Sequence, residues 1–190
     1  MKEIVKKQLD DLNKRLESLD KVLIIAPDDF LVDTMISVVR NLSKKHYGIY
    51  ISLNKPHTTI NQILEKNGIK TEKIYFVDCI TAVVHKTIEK DKTKRVLFAS
   101  HPSDIRKGGT IPESIDKFIK AIPNEKFILV DALRTLLIHN EPKHVSEFIH
   151  NLARISKEFK TKIVVLTRKD HDEELIERIS PIFDEVVRIK

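Results

Sequence analysis

The sequence predicts a three-layer α/β fold, an αβα sandwich built on a mostly parallel sheet, and three observations predict it. Short apolar runs alternate with segments of helical period along the chain. Several of these runs are nearly unbroken Val, Ile and Leu, as expected of strands covered by helices on both faces. The 190 residues show no internal repeat, low-complexity tract or interdomain linker, and they suffice for one domain with a real core.

The elements follow in order. Val5, Leu9, Leu12, Leu16 and Leu19 are spaced 4, 3, 4 and 3, a heptad seam on an otherwise charged helix. Residues 1–20 therefore read as an N-terminal amphipathic helix ahead of a single domain over 21–190. Two heptads are too few to specify a coiled coil, so the seam either lies on its own domain or meets a partner. Strands are predicted at Val22–Ala26, Ile49–Leu53, Ile74–Asp78, Val96–Ser100, Phe127–Asp131, Ile163–Thr167 and Val186–Ile189. Helices are predicted over 31–45, 57–67, 112–121, 143–159 and 171–179. The most charged connection is His85–Arg95. The most irregular is Ser100–Pro112, where Arg106-Lys107-Gly108-Gly109 reads as a mobile loop.

Composition narrows the function classes. Hydrophobic residues make up 41 % and charged residues 33 %, a soluble globular balance. No apolar run approaches the roughly 20 residues that cross a bilayer. Met1–Lys7 lacks the apolar stretch of a signal peptide and Cys79 is the only cysteine, so a cytoplasmic protein without disulfides is expected. Four glycines, no Trp and many Lys and Ile suit a thermophile. The net charge of +6 is spread over both signs, and the lysines are scattered along the chain. Nucleic-acid binding wants basic residues on one face with aromatics between them, so it ranks last among the functions considered.

Ligands of parallel α/β folds bind outside the C-terminal strand ends. The residues that fall there are Asp28 and Asp29, Asn54 and Lys55, Asp78 and Cys79, Ser100 and His101, Asp131, and Thr167, Arg168 and Lys169. The first strand-to-helix turn reads Ala26-Pro27-Asp28-Asp29-Phe30-Leu31-Val32-Asp33-Thr34. A phosphate-binding loop there would carry G-x-x-x-x-G-K-[ST], with glycines that let backbone N–H groups close on phosphate and a lysine that supplies charge. Residues 26–33 hold neither Gly nor Lys, and three aspartates put negative charge where a helix dipole favours an anion.

The order of these pieces resembles the KaiC/RecA-like P-loop ATPases. Ile49-Tyr50-Ile51-Ser52-Leu53-Asn54-Lys55-Pro56 resembles the family's second strand, and Val77-Asp78-Cys79-Ile80-Thr81 a later one. Phe127-Ile128-Leu129-Val130-Asp131 and the following Leu133-Arg134-Thr135-Leu136-Leu137 resemble its Walker B segment. Val96–Asp104 is similar to a strand and loop of archaeal KaiC-like proteins that often lack a P-loop. The resemblance spans about residues 20–190. It implies a RecA-like P-loop NTPase fold and, in intact members, Mg-ATP hydrolysis, often in oligomers. Carried over by position, the Walker B aspartate falls on Asp131 and is kept. The P-loop lysine falls near Val32 and its hydroxyl ligand near Asp33, and both functions are lost. Thr34 would substitute only with a shift of register. The family's catalytic glutamates fall near Asn54 and Lys55, so the water-activating base is missing as well. Two losses in one site argue against hydrolysis.

Other constellations read as structural. Glu147 and His150 share a helix face, but one such pair in an α/β pattern does not make a di-iron site, and no metal is expected. His57 and His101 lie near strand ends without an evident partner. Ser100 lacks the G-x-S-x-G elbow and Cys79 stands beside Asp78, so neither reads as an activated nucleophile. Asp131 itself serves either to cap a turn or to hold a ligand.

The expectation is a non-catalytic KaiC/RecA-like protein, a pseudo-ATPase with no cofactor, that regulates or scaffolds through a protein partner or its own oligomer. Its contact elements would be the seam Val5, Leu9, Leu12, Leu16, Leu19 and the loop residues Arg106 and Lys107. The alternative is a sensor that holds a nucleotide or other small ligand in a crevice of Asp28, Asp29, Thr34, Asn54, Lys55, Asp131, Arg168 and Lys169. Single-stranded nucleic-acid binding comes third.

Overall fold

A computed structural model of the protein describes residues 3–84, 93–168 and 173–190. Lys169 and the start of the helix expected over 171–179 lie outside the described residues, as does most of the charged connection 85–95.

The elements run α1 (Glu3–Arg15), β1 (Lys21–Ala26), α2 (Asp28–Leu42), β2 (Tyr47–Ser52), α3 (His57–Lys66), β3 (Ile74–Asp78), α4 (Thr81–Val84), β4 (Val96–Phe98), α5 (Thr110–Ala121), β5 (Lys126–Asp131), α6 (Leu133–His139), α7 (Pro142–Phe159), β6 (Thr161–Arg168), α8 (Glu173–Ile179), a 3₁₀ turn (Ser180–Ile182) and β7 (Glu185–Arg188). The strands form one sheet in the order β4-β3-β2-β5-β6-β1-β7, parallel at every pairing among the described residues. Among the described residues the sheet is thus wholly rather than mostly parallel.

Side chains alternate across each strand, and here both faces are buried. Val22, Ile24, Tyr50, Phe76, Phe127, Leu129, Val164 and Leu166 enter the core beneath α1, α2 and α3. Leu23, Ile25, Ile49, Ile51, Val77, Ile128, Val130 and Val165 enter the core beneath α5, α6, α7 and α8. Feeding two cores at once requires apolar residues at consecutive positions, which accounts for the unbroken runs in the sequence.

The structure departs from the expected elements in several places. The heptad seam is used internally: Val5, Leu9, Leu12 and Leu16 are buried against the domain and Leu19 is partly so, which removes the seam as a free contact surface. Asn13 fixes the docking, donating to Ser37 Oγ at 2.8 Å and accepting at its carbonyl from Asn41 at 2.9 Å. The second change is at α2, which starts at Asp28 rather than near residue 31, because Pro27 takes the extended N-cap conformation and two acidic residues suit the first turn. The third is α6, a seven-residue helix within the Walker B-like segment, whose short length left little periodicity to read.

Candidate functional site

Successive connections leave the sheet to opposite faces at two places. β2 leads into α3 and β5 into α6, on opposite sides, and β1 and β6 diverge in the same way. Divergence of this kind opens a crevice at the C-terminal strand ends. A cleft of about 270 Å³ lies there, walled by Leu31, Val32 and Met35 of α2 and Ile60 and Ile63 of α3. Its polar groups are Asn54, Lys55, Asp131 and Arg168, four of the eight crevice residues expected from the sequence.

The remaining predicted residues take different positions. Asp28 sits at the edge and binds Arg168, with Oδ1 2.9 Å from Nε. Asp29 is exposed on the first turn of α2. Thr34 is buried and donates its hydroxyl to the carbonyl of Phe30 at 2.7 Å, so it is occupied as a helix side chain and does not line the cleft. Asn54 accepts a hydrogen bond from the Thr135 hydroxyl through its side-chain oxygen. The carbonyl of Lys55 accepts from Ser52 Oγ, which folds the loop back on its strand.

Asp131 ends β5, and a cis peptide joins it to Ala132. Its carboxyl accepts a hydrogen bond from the buried Tyr50 hydroxyl. Burial pushes the Asp131 carboxyl up from its ordinary value, while the Tyr50 hydrogen bond and the nearby Lys55 charge pull the other way. Burial and then the Asp131 charge push the Tyr50 phenol well up. Tyr50 is a site residue that sequence reasoning missed. Strand alternation was the available signal: Ser52 lies opposite Asp131 in register, so Tyr50, two residues earlier, shares the face of Asp131.

A second carboxylate closes β3. Asp78 is fully buried and receives five hydrogen bonds. His57 donates from its backbone at 2.8 Å and its Nδ1 at 2.7 Å, Ile80 from its backbone at 2.9 Å, and Thr81 from its backbone at 2.8 Å and its hydroxyl at 2.7 Å. Burial works against the charge, but the bonds from His57 and Thr81 hold this carboxyl far below the ordinary range. His57 therefore has a partner that the sequence did not reveal. One side chain ties the starts of α3 and α4 to the end of β3, and the same burial beside Asp78 pushes the Cys79 thiol up and keeps it inert.

The connection Ser100–Pro112 is built rather than loose. Asp104 Oδ2 accepts from the backbone and hydroxyl of Thr110 at 2.8 and 2.6 Å, and those bonds lower its carboxyl pKa. A Cβ at Gly109 would come within 2.6 Å of the Asp104 carbonyl, so close approach, not mobility, calls for this glycine. Arg106 and Lys107 are exposed on the loop and line a groove of about 850 Å³ between α5 and α7. Arg106 Nη2 donates to His144 Nδ1 at 3.3 Å, and Ile105, Phe148 and Ile155 supply apolar surface. Among the described residues no group of three or more His, Cys, Asp or Glu is placed to hold a metal ion, and no helix is long and apolar enough to cross a membrane.

Solved structures share this architecture. An uncharacterized protein, PH0321, from Pyrococcus horikoshii, solved in complex with an unknown peptide, superposes with a TM-score of 0.65 at 13 % identity, over 94 % of this chain and 82 % of that one. The KaiC-like protein PH0186 from Pyrococcus horikoshii OT3 gives 0.56 at 14 % identity, over 89 % and 70 %. A third structure, an isolated ATPase domain, gives 0.56 at 11 % identity, over 99 % and 84 %. The fold is that of the RecA-like and KaiC-like P-loop ATPases. No curated protein matches the sequence. Residues 44–190 match the model of a family of unknown function (DUF7090), which is more than half of the chain, and the protein belongs to that family.

Proposed function

We propose that the chain is a non-catalytic member of the RecA/KaiC-like fold, a pseudo-ATPase that regulates or scaffolds through protein contacts. The observation that carries this reading is the junction of β1 and α2, where Pro27 alone separates strand from helix. A phosphate cradle is made by successive backbone N–H groups ahead of the helix, with a cation among them. Here there is no run of residues to make it. Asp28 and Asp29 occupy the first helical turn, and the nearby cation Arg168 is already bound by Asp28. The groove beside Arg106 and Lys107 is the surface for the partner, now that the N-terminal seam is internal. A peptide bound to the fold neighbour PH0321 supports a partner of that kind.

Two assays test the reading. Phosphate release from Mg-ATP should not exceed the buffer rate, and turnover abolished by Asp131→Asn would overturn it. Peptides selected from a displayed random library on the wild-type protein should lose binding to the Arg106→Glu/Lys107→Glu variant. Selected peptides that bind both proteins equally would remove the groove as the contact.

A second reading, a small-ligand sensor, is favoured by the cleft that gathers Asn54, Lys55, Asp131 and Arg168 above apolar walls. A saturable rise in melting temperature with ATP, ADP or a cyclic nucleotide, lost in Lys55→Ala, would favour it over the scaffold.

A further inference from the structure

The opposite end of the sheet carries a different surface. Where α2 ends and the 67–73 connection enters β3, a bowl of about 330 Å³ is lined by Arg40, Lys44, Lys70 and Lys73, with Glu72 the one acidic residue among its walls. All four cations are exposed, and none forms an ion pair among the described residues. In sequence they are spread over more than thirty positions, and folding gathers them. We propose that this bowl binds the phosphodiester backbone of single-stranded nucleic acid.

Four cations against one carboxylate repel one another, a cost that an anionic partner would offset. The C-terminal poles of α2 and α3 account for part of this charge, with Arg40 and Lys44 at the end of α2 and Lys70 just past α3, but not for Lys73 at the entry to β3. Two of the cations are held in place. Arg40 Nη2 donates to the Asn67 carbonyl at 3.0 Å, and Lys73 Nζ stands 5.6 Å from the centre of the Tyr47 ring. The remaining two, Lys44 and Lys70, are free to meet a ligand.

Shape and exposure decide between a lone phosphate and a strand. A site for free phosphate encloses it with buried donors. This bowl is wider than one phosphate group, and its charges are all solvent-exposed on separate chain segments. Such an array suits successive phosphates along a flexible backbone, which read as point charges without base contacts. The binding is therefore sequence-independent and strongly dependent on salt.

The test is fluorescence anisotropy with a labelled single strand of about 12 nucleotides across a salt series. The wild type should bind with a log–log salt slope of about −2, since three net charges contribute about 0.7 each. Lys44→Glu/Lys70→Glu turns the net charge of the bowl from +3 to −1, and should weaken binding about tenfold or more and bring the slope close to zero. A charge-matched control, Lys117→Glu/Lys157→Glu on exposed positions of the opposite helical layer, should keep most of the affinity. Melting curves of both variants check that the fold is intact. Equal weakening in the two variants would mean diffuse attraction to net charge and would overturn the bowl. Inorganic phosphate at millimolar level displacing the strand completely would assign the bowl to a free anion instead. Binding of poly-glutamate as tightly as the oligonucleotide would assign it to acidic protein segments, which also overturns the proposal.

Discussion

Two aspartates flank Ser52 across the sheet, Asp78 on β3 and Asp131 on β5, and the fold treats them in opposite ways. Both close parallel strands, and both point to the α2–α3 side. Asp78 is sealed, with five donors from His57, Ile80 and Thr81, and its carboxyl is held ionised. Asp131 has one side-chain donor, Tyr50, lines the cleft, and has its carboxyl pushed toward the neutral form by burial. Burial costs both of them. What separates them is the supply of hydrogen bonds, which turns one into a structural tie and leaves the other with capacity for a ligand.

The strongest way to break this contrast is to remove the tie. Asp78→Ala leaves buried backbone N–H groups and the His57 ring without an acceptor, and should cost about 3–5 kcal/mol in urea or guanidinium unfolding. A loss near that of an ordinary surface change would mean that water replaces the carboxylate and that β3 is not tied at all. At the other aspartate, Tyr50→Phe removes one neutral donor and should cost about 1 kcal/mol. Asp131→Asn keeps an acceptor for Tyr50 while removing a charge that burial disfavours. It should leave stability at neutral pH unchanged or raised by no more than about 1 kcal/mol.

Proton linkage sharpens the same comparison because the signs differ. The folded pKa of Asp78 lies below its unfolded value, so its stabilisation is full above the ordinary carboxylate value of about 4 and is lost as pH falls below it. The folded pKa of Asp131 lies above its unfolded value, so it favours the folded state at low pH and loses that contribution as pH rises through the interval between the two. Unfolding free energies measured from about pH 3 to about pH 7 should therefore show the gap between wild type and Asp78→Ala widening with pH. The gap between wild type and Asp131→Asn should move in favour of the variant as pH rises. Parallel curves for the two variants would refute the assignment.

How far the sequence could be read follows the same division. Strand positions were legible because two-sided burial demands consecutive Val, Ile and Leu, and every predicted strand has its counterpart. The heptad at Val5–Leu19 was legible as a helix face, but periodicity says which side is apolar and not what covers it. Asn54, Lys55, Asp131 and Arg168 were placed at one crevice because strand ends converge there by topology. Thr34 was not, since its hydroxyl turns back to Phe30, a local choice that spacing does not encode. His57 and Asp78 are 21 residues apart, and only the pairing of β2 with β3 brings them together. The basic bowl escaped for the same reason, because scatter along a chain is not scatter in space.

The smallest expected effect concerns the mouth of the crevice. Arg168 and Asp28 meet at 2.9 Å, but their side chains are 42 % and 55 % exposed, so water screens the attraction. A double-mutant cycle with Asp28→Ala and Arg168→Ala should give a coupling of about 0.5 kcal/mol or less, fading further at high salt. This pair joins the start of α2 to the end of β6, as Asp78 joins β3 to α3, yet it does so without burial and without further donors. A weak coupling would leave Arg168 available to a ligand, at a cost small enough for an anion in the cleft to displace Asp28. A coupling above about 2 kcal/mol would instead make the pair a second structural tie, and Arg168 would have to be withdrawn from the sensor reading, leaving Lys55 as the cleft's cation.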